Sequence, residues 1–161
     1  MRKIFATVAV LFTVVVYAGM ANADELFKAT LTGDQEVPPV ATDTTGKAFF
    51  RLNKAEDEIE IQLHVNDGVR ITQSHIHCAP AGVNGPIVIF LAGLHAAGLD
   101  IDGKWVSNAT IKDTSIVNRA TACGATLSDI VAAMRSGNTY ANVHSVAHPG
   151  GEVRGQIEPA D

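Results

Sequence analysis

The sequence predicts an all-β protein, an antiparallel β-sandwich of immunoglobulin-like or Greek-key type, with about seven to eight strands and one short helix near 126–136. Apolar and polar residues alternate in DEIEIQLHV (57–65), which is the pattern of a half-buried strand. Turn-forming residues such as NDG (66–68) separate short strand-like segments at regular spacing. Only TLSDIVAAMRSG (126–137) has helical spacing, with Thr126 placed to cap its start.

The chain has 161 residues, and residues 1–23 have the pattern of a secretory signal peptide. A basic MRK start is followed by the apolar run IFATVAVLFTVVVYAG and by the small residues ANA. We expect cleavage after Ala23, which leaves residues 24–161 as one domain large enough to bury its own core. A retained membrane anchor is the alternative, although the apolar run is slightly shorter than the roughly 20 residues of a membrane span.

Strand-like segments occupy most of this domain. The proline pair at 38–39 excludes a regular strand from the segment between the first two. The link VAHPGG (146–151) is short and turn-rich, so we expect the last two strands to form a hairpin. Residues 93–111 have no clear pattern, and we predict a long loop with one short strand there. The predicted strands are 25–32, 47–53, 57–65, 70–77, 87–92, 139–145 and 151–159.

Charge and hydropathy limit the possible partners. The formal net charge is -5, and cleavage of the leader removes Arg2 and Lys3, so the exported domain is more acidic still. We therefore predict no nucleic-acid partner, because no basic face is available for one. We also predict no membrane span after signal cleavage, and a periplasmic or secreted location. No motif identifies a protein partner.

The two cysteines, Cys78 and Cys123, both lie in the exported part. An even pair in an exported protein usually forms a disulfide. Such a bridge would close a loop of about 45 residues and would stabilise the fold by about 3 to 4 kcal/mol in the chain-entropy model. The alternatives are free thiols, or a role for Cys78 as a metal ligand beside His77.

Four of the six histidines are candidates for a metal site: His75, His77, His144 and His148. His75 and His77 alternate along one strand and so share a face. His144 lies on a later strand and His148 in the turn after it. If these strands pack together, the imidazoles would converge, and imidazole suits copper and zinc. We favour copper over zinc because the expected compartment is extracytoplasmic. The histidines could instead bond loop carbonyls in a purely structural role, since H-x-H supplies two ligands where metal sites need three or four.

A second polar group consists of Glu36, Glu152 and Arg154. Glu152 and Arg154 share one face of the last strand, and Glu36 lies in the proline-rich loop. Arg154 could make a bidentate pair with either carboxylate, so we predict a structural ion pair that holds the loop to the sheet. A carboxylate that orients a metal-bound imidazole is the alternative.

Three blocks of the sequence resemble the CHRD domain, a family named from chordin and also found in bacterial secreted proteins. They are LTGDQEVPPVATDTTGKAFFRLN, HIHCAPAGVNGPIVIFL and GNTYANVHSVAHPGGEVRGQIEP, and the resemblance spans about residues 25 to 158. It implies an extracellular β-sandwich module with no settled biochemical activity. Ser145 stands where many members have Thr, and His148 where many have Asn. His148 is therefore a ligand that the family pattern does not demand.

These features together predict an exported, non-enzymatic binding module with a histidine-lined site for a metal, and no catalytic residue. The H-x-H pair with a distant histidine also resembles the ligand pattern of copper–zinc superoxide dismutases, so a copper-dependent redox enzyme is the first alternative. That alternative requires His75, His77 and His144 to converge on a point about 2 Å from each nitrogen. A structural or adhesion module without metal is the second alternative.

Overall fold

The structure is a computed structural model and describes residues 24–160. Within these residues, apolar and polar side chains alternate along nine strands. The predicted signal peptide lies outside these residues. One α-helix, α1 (Leu127–Arg135), and two short 3-10 turns accompany the strands. The strands are β1 (Glu25–Leu31), β2 (Thr45–Leu52), β3 (Ile59–Asn66), β4 (Ile71–Cys78), β5 (Ile87–Ala92), β6 (Lys104–Ile111), β7 (Thr139–Ser145), β8 (Val153–Gln156) and β9 (Glu158–Pro159).

The strands form two antiparallel sheets, as the sequence predicts. The first sheet has the order β6-β3-β2-β1-β9, and the second has the order β5-β4-β7-β8. In β2 and β3 every second residue is buried, so that Phe50, Ile61 and Leu63 enter the core between the sheets. Burial of one apolar face against another stabilises a sandwich of this type at about 25 cal/mol per Å² of apolar surface.

The helix follows the predicted pattern closely. Thr126 accepts a hydrogen bond from the backbone N–H of Asp129, and Asp129 bonds back in a capping box. The apolar side chains of one face are buried against the core, while Gly137 follows the end of the helix at a φ of 68°. The helix leads directly into β7, which is a central strand of the second sheet.

Two predicted boundaries differ from the structure. Residues 104–111 form the full strand β6, paired along its whole length with β3, where we predicted a long loop with one short strand. The segment predicted as a single strand at 151–159 is divided at the buried Ile157. Its first part, β8, forms the expected hairpin with β7, and its second part, β9, crosses to the first sheet and pairs with β1.

A disulfide joins Cys78 at the end of β4 to Cys123 in the segment before α1, with a Cα–Cα distance of 5.8 Å. The predicted bridge is confirmed, and the alternatives of free thiols and of Cys78 as a metal ligand are excluded. Within residues 24–160, no helix has the length and apolar character needed to cross a membrane.

Candidate metal centre

Strand β7 is buried on both of its faces, which is the feature that creates the site. Ala141 and Val143 enter the core between the sheets, so the alternate residues Tyr140, Asn142 and His144 lie on the outer face. Two loops cover this outer face. The loop after β1 and the loop between β4 and β5 are joined by Asn84, whose side-chain amide donates to the carbonyl of Val37 at 2.7 Å.

The register between β4 and β7 brings the predicted histidines together on this covered face. His75 lies opposite Asn142, which places it one pleat from His144, and His77 lies opposite Tyr140. The three rings of His75, His77 and His144 offer nitrogen atoms that all lie within 4.8 Å of one another. The residues His75, His77 and His144 are 0%, 7% and 4% exposed, respectively, so this is a buried cluster rather than a surface group.

Hydrogen bonds to backbone carbonyls fix two of the three tautomers. The Nδ1 atom of His77 lies 2.9 Å from the carbonyl oxygen of Gly85, and Nδ1 of His144 lies 3.0 Å from that of Pro149. Because a carbonyl can only accept, each Nδ1 must carry the proton and each Nε2 must carry a lone pair. Metal-bound histidines are commonly oriented in this way by a carbonyl on the other ring nitrogen.

The spacing of the nitrogens is close to that of a coordination sphere. His75 Nδ1 lies 2.9 Å from His144 Nε2. Two imidazole nitrogens bound to one ion at about 2.0–2.1 Å lie roughly 2.9 to 3.6 Å apart for angles between 90° and 120°. In the structure this contact is a hydrogen bond from the His75 N–H to the His144 lone pair. A bound ion would take the place of that proton. The two nitrogens that lie farthest apart, within 4.8 Å, would have to approach each other by about 1 Å.

Burial keeps all three imidazoles neutral. Desolvation, reinforced by the neighbouring rings, lowers the pKa of His75 to about 3. Burial likewise lowers the pKa of His144 to about 4, against the opposing effect of its bond to Pro149. The pKa of His77 is also lowered, first by burial. Neutral imidazole is the form that binds a metal, so few protons compete for these lone pairs near neutral pH.

Aromatic side chains enclose the cluster. Tyr140 stacks on His77 with ring centroids 4.8 Å apart, and Phe90 meets His75 edge-on at 4.5 Å. The Tyr140 hydroxyl also accepts the backbone N–H of Gly85 at 3.2 Å. The Gly85 residue therefore contacts both members of the stack, through its N–H to Tyr140 and its carbonyl to His77.

His148, the fourth predicted ligand, lies outside the cluster. Its side chain is 40% exposed, and its Nε2 atom lies 3.8 Å from a carboxylate oxygen of Glu152. The turn that holds it is fixed by the backbone, because the N–H of His148 donates to the Ser145 hydroxyl at 2.9 Å. The structure thus brings together three of the four predicted ligands.

The predicted ion pair of Arg154 is absent from residues 24–160 and is replaced by another set of contacts. The Arg154 guanidinium donates to the carbonyl of Gln35 at 2.6 Å and to the side-chain oxygen of Asn84 at 2.9 Å, and it lies 4.6 Å from the centre of the Tyr140 ring. Arg154 does hold the loops to the sheet, as expected, but through carbonyl and amide oxygens.

The two carboxylates that we considered as partners of Arg154 are buried separately. Glu152 accepts hydrogen bonds from the hydroxyls of Thr42 and Ser145, the latter at 2.7 Å. Glu36 packs against Gly151, where a β-carbon would lie only 2.6 Å from its carboxylate oxygens. Desolvation raises the pKa of Glu36 to about 7, despite the opposing effects of Arg154 and the Asn142 amide. Neither carboxylate orients one of the clustered imidazoles.

The sequence reasoning missed Tyr140, Phe90 and Gly85 as parts of this site. Tyr140 could have been found, because it alternates with His144 along TYANVHS and must share its face. Phe90 and Gly85 carry no such signal, since their positions depend on strand register and on the path of a loop.

Comparison with known proteins agrees with the blocks identified in the sequence. A family model for the CHRD domain matches residues 27–157. Searches of curated proteins and of solved structures found no match to the chain. The match of the family model covers most of β1, strands β2 to β8, the disulfide and all three clustered histidines, and the chain therefore belongs to the CHRD domain family.

Proposed function

We propose that this chain is an exported, non-enzymatic binding module that holds one copper ion at His75, His77 and His144. The observation that carries the proposal is the preset geometry of the rings. Carbonyl groups hold the Nδ1 protons of His77 and His144 and leave both Nε2 lone pairs for a ligand. The Nε2 atom of His77 is buried and has no hydrogen-bond partner, which is costly unless a ligand satisfies it.

The expected compartment supports copper as the metal. Membership of the CHRD family and the Cys78–Cys123 disulfide fit an extracellular or secreted location. An all-imidazole donor set accepts both copper and zinc, and copper lies above zinc in the general order of divalent affinities. Periplasmic export through the leader at 1–23 belongs to the same proposal.

Metal analysis of protein purified from the periplasm without an affinity tag tests the proposal. We expect one copper per chain, and we expect the His75→Ala/His77→Ala double variant to lose it. His64→Ala is a matched control, because His64 lies on a strand of the other sheet and its ring bonds Gln62. His148→Ala should also keep its copper. Wild-type protein that takes up no copper at micromolar concentration would refute the proposal.

The redox alternative is favoured by one specific observation. A dismutase-like centre needs three converging imidazoles, and nitrogens of three imidazoles lie within 4.8 Å of one another here. The discriminating measurement is superoxide dismutation by the copper-loaded protein. A rate that exceeds free copper and disappears in the double variant would identify an enzyme, whereas our proposal expects none.

The structural or adhesion alternative loses support from the same geometry. Scattered histidines would have favoured it, whereas three of them lie close together. The bonds of His77 and His144 to loop carbonyls do fit a structural role for these two rings. The structural alternative would regain support if His75, His77 and His144 could all be replaced by apolar residues without any change in metal content.

A further inference from the structure

We infer that the three-histidine cluster prefers the univalent ion, Cu(I), over divalent Cu(II) or Zn(II). This inference rests on the proposed metal binding and specifies the charge of the ion. It follows from three features of the site: the charge of its ligands, its burial, and the positive charge of Arg154 beside the aromatic stack.

The ligands would bring no negative charge to the ion. The three rings bond the carbonyls of Gly85 and Pro149 and one another. Within residues 24–160, the one close contact between a histidine nitrogen and a carboxylate is that of His148 with Glu152, outside the cluster. No Asp or Glu among these residues joins the cluster. A bound ion would therefore keep its full formal charge.

Burial makes that charge expensive, and more so for a divalent ion. The cost of transferring an ion out of water grows with the square of its charge, so a divalent ion of the same size costs about four times as much as a univalent one. The three histidines are at most 7% exposed, and Phe90 and Tyr140 occupy two sides. Water can thus offset little of this cost.

A positive charge lies against the aromatic stack. Arg154 lies 4.6 Å from the centre of the Tyr140 ring, and Tyr140 in turn stacks on His77. Its repulsion is twice as large for a divalent ion as for a univalent one. The buried carboxylates of Glu152 and Glu36 contact hydroxyl groups and Gly151, and neither bonds a ring of the cluster.

Coordination number points in the same direction. Zinc that is held by three protein ligands takes a water or substrate as a fourth ligand. Cu(I), in contrast, is stable with two or three ligands. Three nitrogens are what the described residues provide.

Competition titrations with chelators of known affinity test the inference on the oxidised, full-length exported protein. Cu(I) is titrated anaerobically against a chromophoric chelator, and Cu(II) and Zn(II) are titrated separately. We expect the Kd for Cu(I) to be lower than the Kd for either divalent ion by at least about tenfold. Each tenfold of preference over Cu(II) raises the copper reduction potential by about 59 mV relative to the free ions.

Two substitutions of Phe90, one by a charged residue and one by a neutral residue of similar shape, form a matched pair of variants. Phe90 contacts His75 and is 48% exposed, so a polar residue there need not be buried. Phe90→Glu should shift the ratio of the affinities towards the divalent ions by about tenfold, and the neutral Phe90→Gln by less than about threefold.

The outcomes separate this inference from the proposed function. Tighter binding of Cu(II) or Zn(II) at the three histidines would overturn the preference and leave metal binding intact. Equal shifts in both Phe90 variants would overturn the electrostatic cause. Failure of every metal to bind would refute the proposed function together with the inference.

Discussion

Acid should destabilise the metal-free protein, because the histidine cluster is buried in its neutral form. Burial lowers the pKa of His75 from 6.5 to about 3 and that of His144 to about 4. Between pH 6.5 and these values the unfolded chain binds protons that the folded chain does not, so the free energy of unfolding decreases as the pH falls. From pH 7 to pH 5 the loss is about 2 kcal/mol for each ring, or about 4 kcal/mol for the two.

Glu36 opposes this loss. Burial raises its pKa from 4.5 to about 7, so below pH 7 the folded chain binds a proton that the unfolded chain does not yet bind. The free energy of unfolding gains about 2 kcal/mol from this residue between pH 7 and pH 5. The wild-type protein should therefore lose about 2 kcal/mol in total. Glu36→Gln, which cannot take up the proton, should lose about 4 kcal/mol over the same interval.

Urea unfolding at pH 7 and pH 5 measures these differences, with fluorescence of the single tryptophan, Trp105, as the signal. The protein is first treated with a chelator and kept oxidised. Glu158→Gln, at an exposed position of β9, is the control and should retain the wild-type pH dependence. Equal losses in wild type and Glu36→Gln would show that Glu36 has no part in the effect. A Glu36→Gln protein as stable at pH 5 as at pH 7 would refute the account of the histidines.

Three further predictions concern the framework around the site. Removal of the disulfide in Cys78→Ala/Cys123→Ala should lower the free energy of unfolding by about 4 kcal/mol, seen as a lower urea midpoint. Loss of the helix cap in Thr126→Ala should cost about 1 kcal/mol, seen as a lower Tm; an unchanged Tm would mean that the capping box contributes nothing. Arg154→Lys keeps the charge but loses the fork that reaches both loops, and should cost about 2 to 3 kcal/mol with faster amide exchange in those loops. Unchanged exchange in that variant would argue that the loops are held by other contacts.

Local alternation was enough to predict most of the strands, and the limits of that signal are visible in β6. In β3 the inward positions are all apolar, as in Ile59, Ile61 and Leu63, and the strand is evident in the sequence. In β6 the inward positions include Ser107 and Ala109, which are small and only partly buried, so the alternation is weak. That strand is formed because β3 offers a paired edge along its full length, which is a tertiary effect.

The candidate site could be predicted in its residue types but not in its full geometry. H-x-H spacing places His75 and His77 on one face whatever the rest of the chain does. The position of His144 beside these two rings depends on the register of β4 against β7, which the sequence does not encode locally. The interpretation of Arg154 failed for a related reason. Two of its partners are backbone carbonyls of loops, which every residue possesses, and the third is the side-chain oxygen of Asn84, so no carboxylate marks them in the sequence.

The pairing of β4 with β7 also determines when the site comes into existence during folding. His75 and His144 are separated by 69 residues and meet only after these two central strands have paired. Such non-local pairing is slow relative to local structure, because the closure entropy of the intervening chain must first be overcome. In an unfolded chain, His75 and His77 are adjacent, but His144 is not held near them. Full occupancy would then mark chains that have completed their fold, and metal content could serve as a measure of maturation in a mixed population.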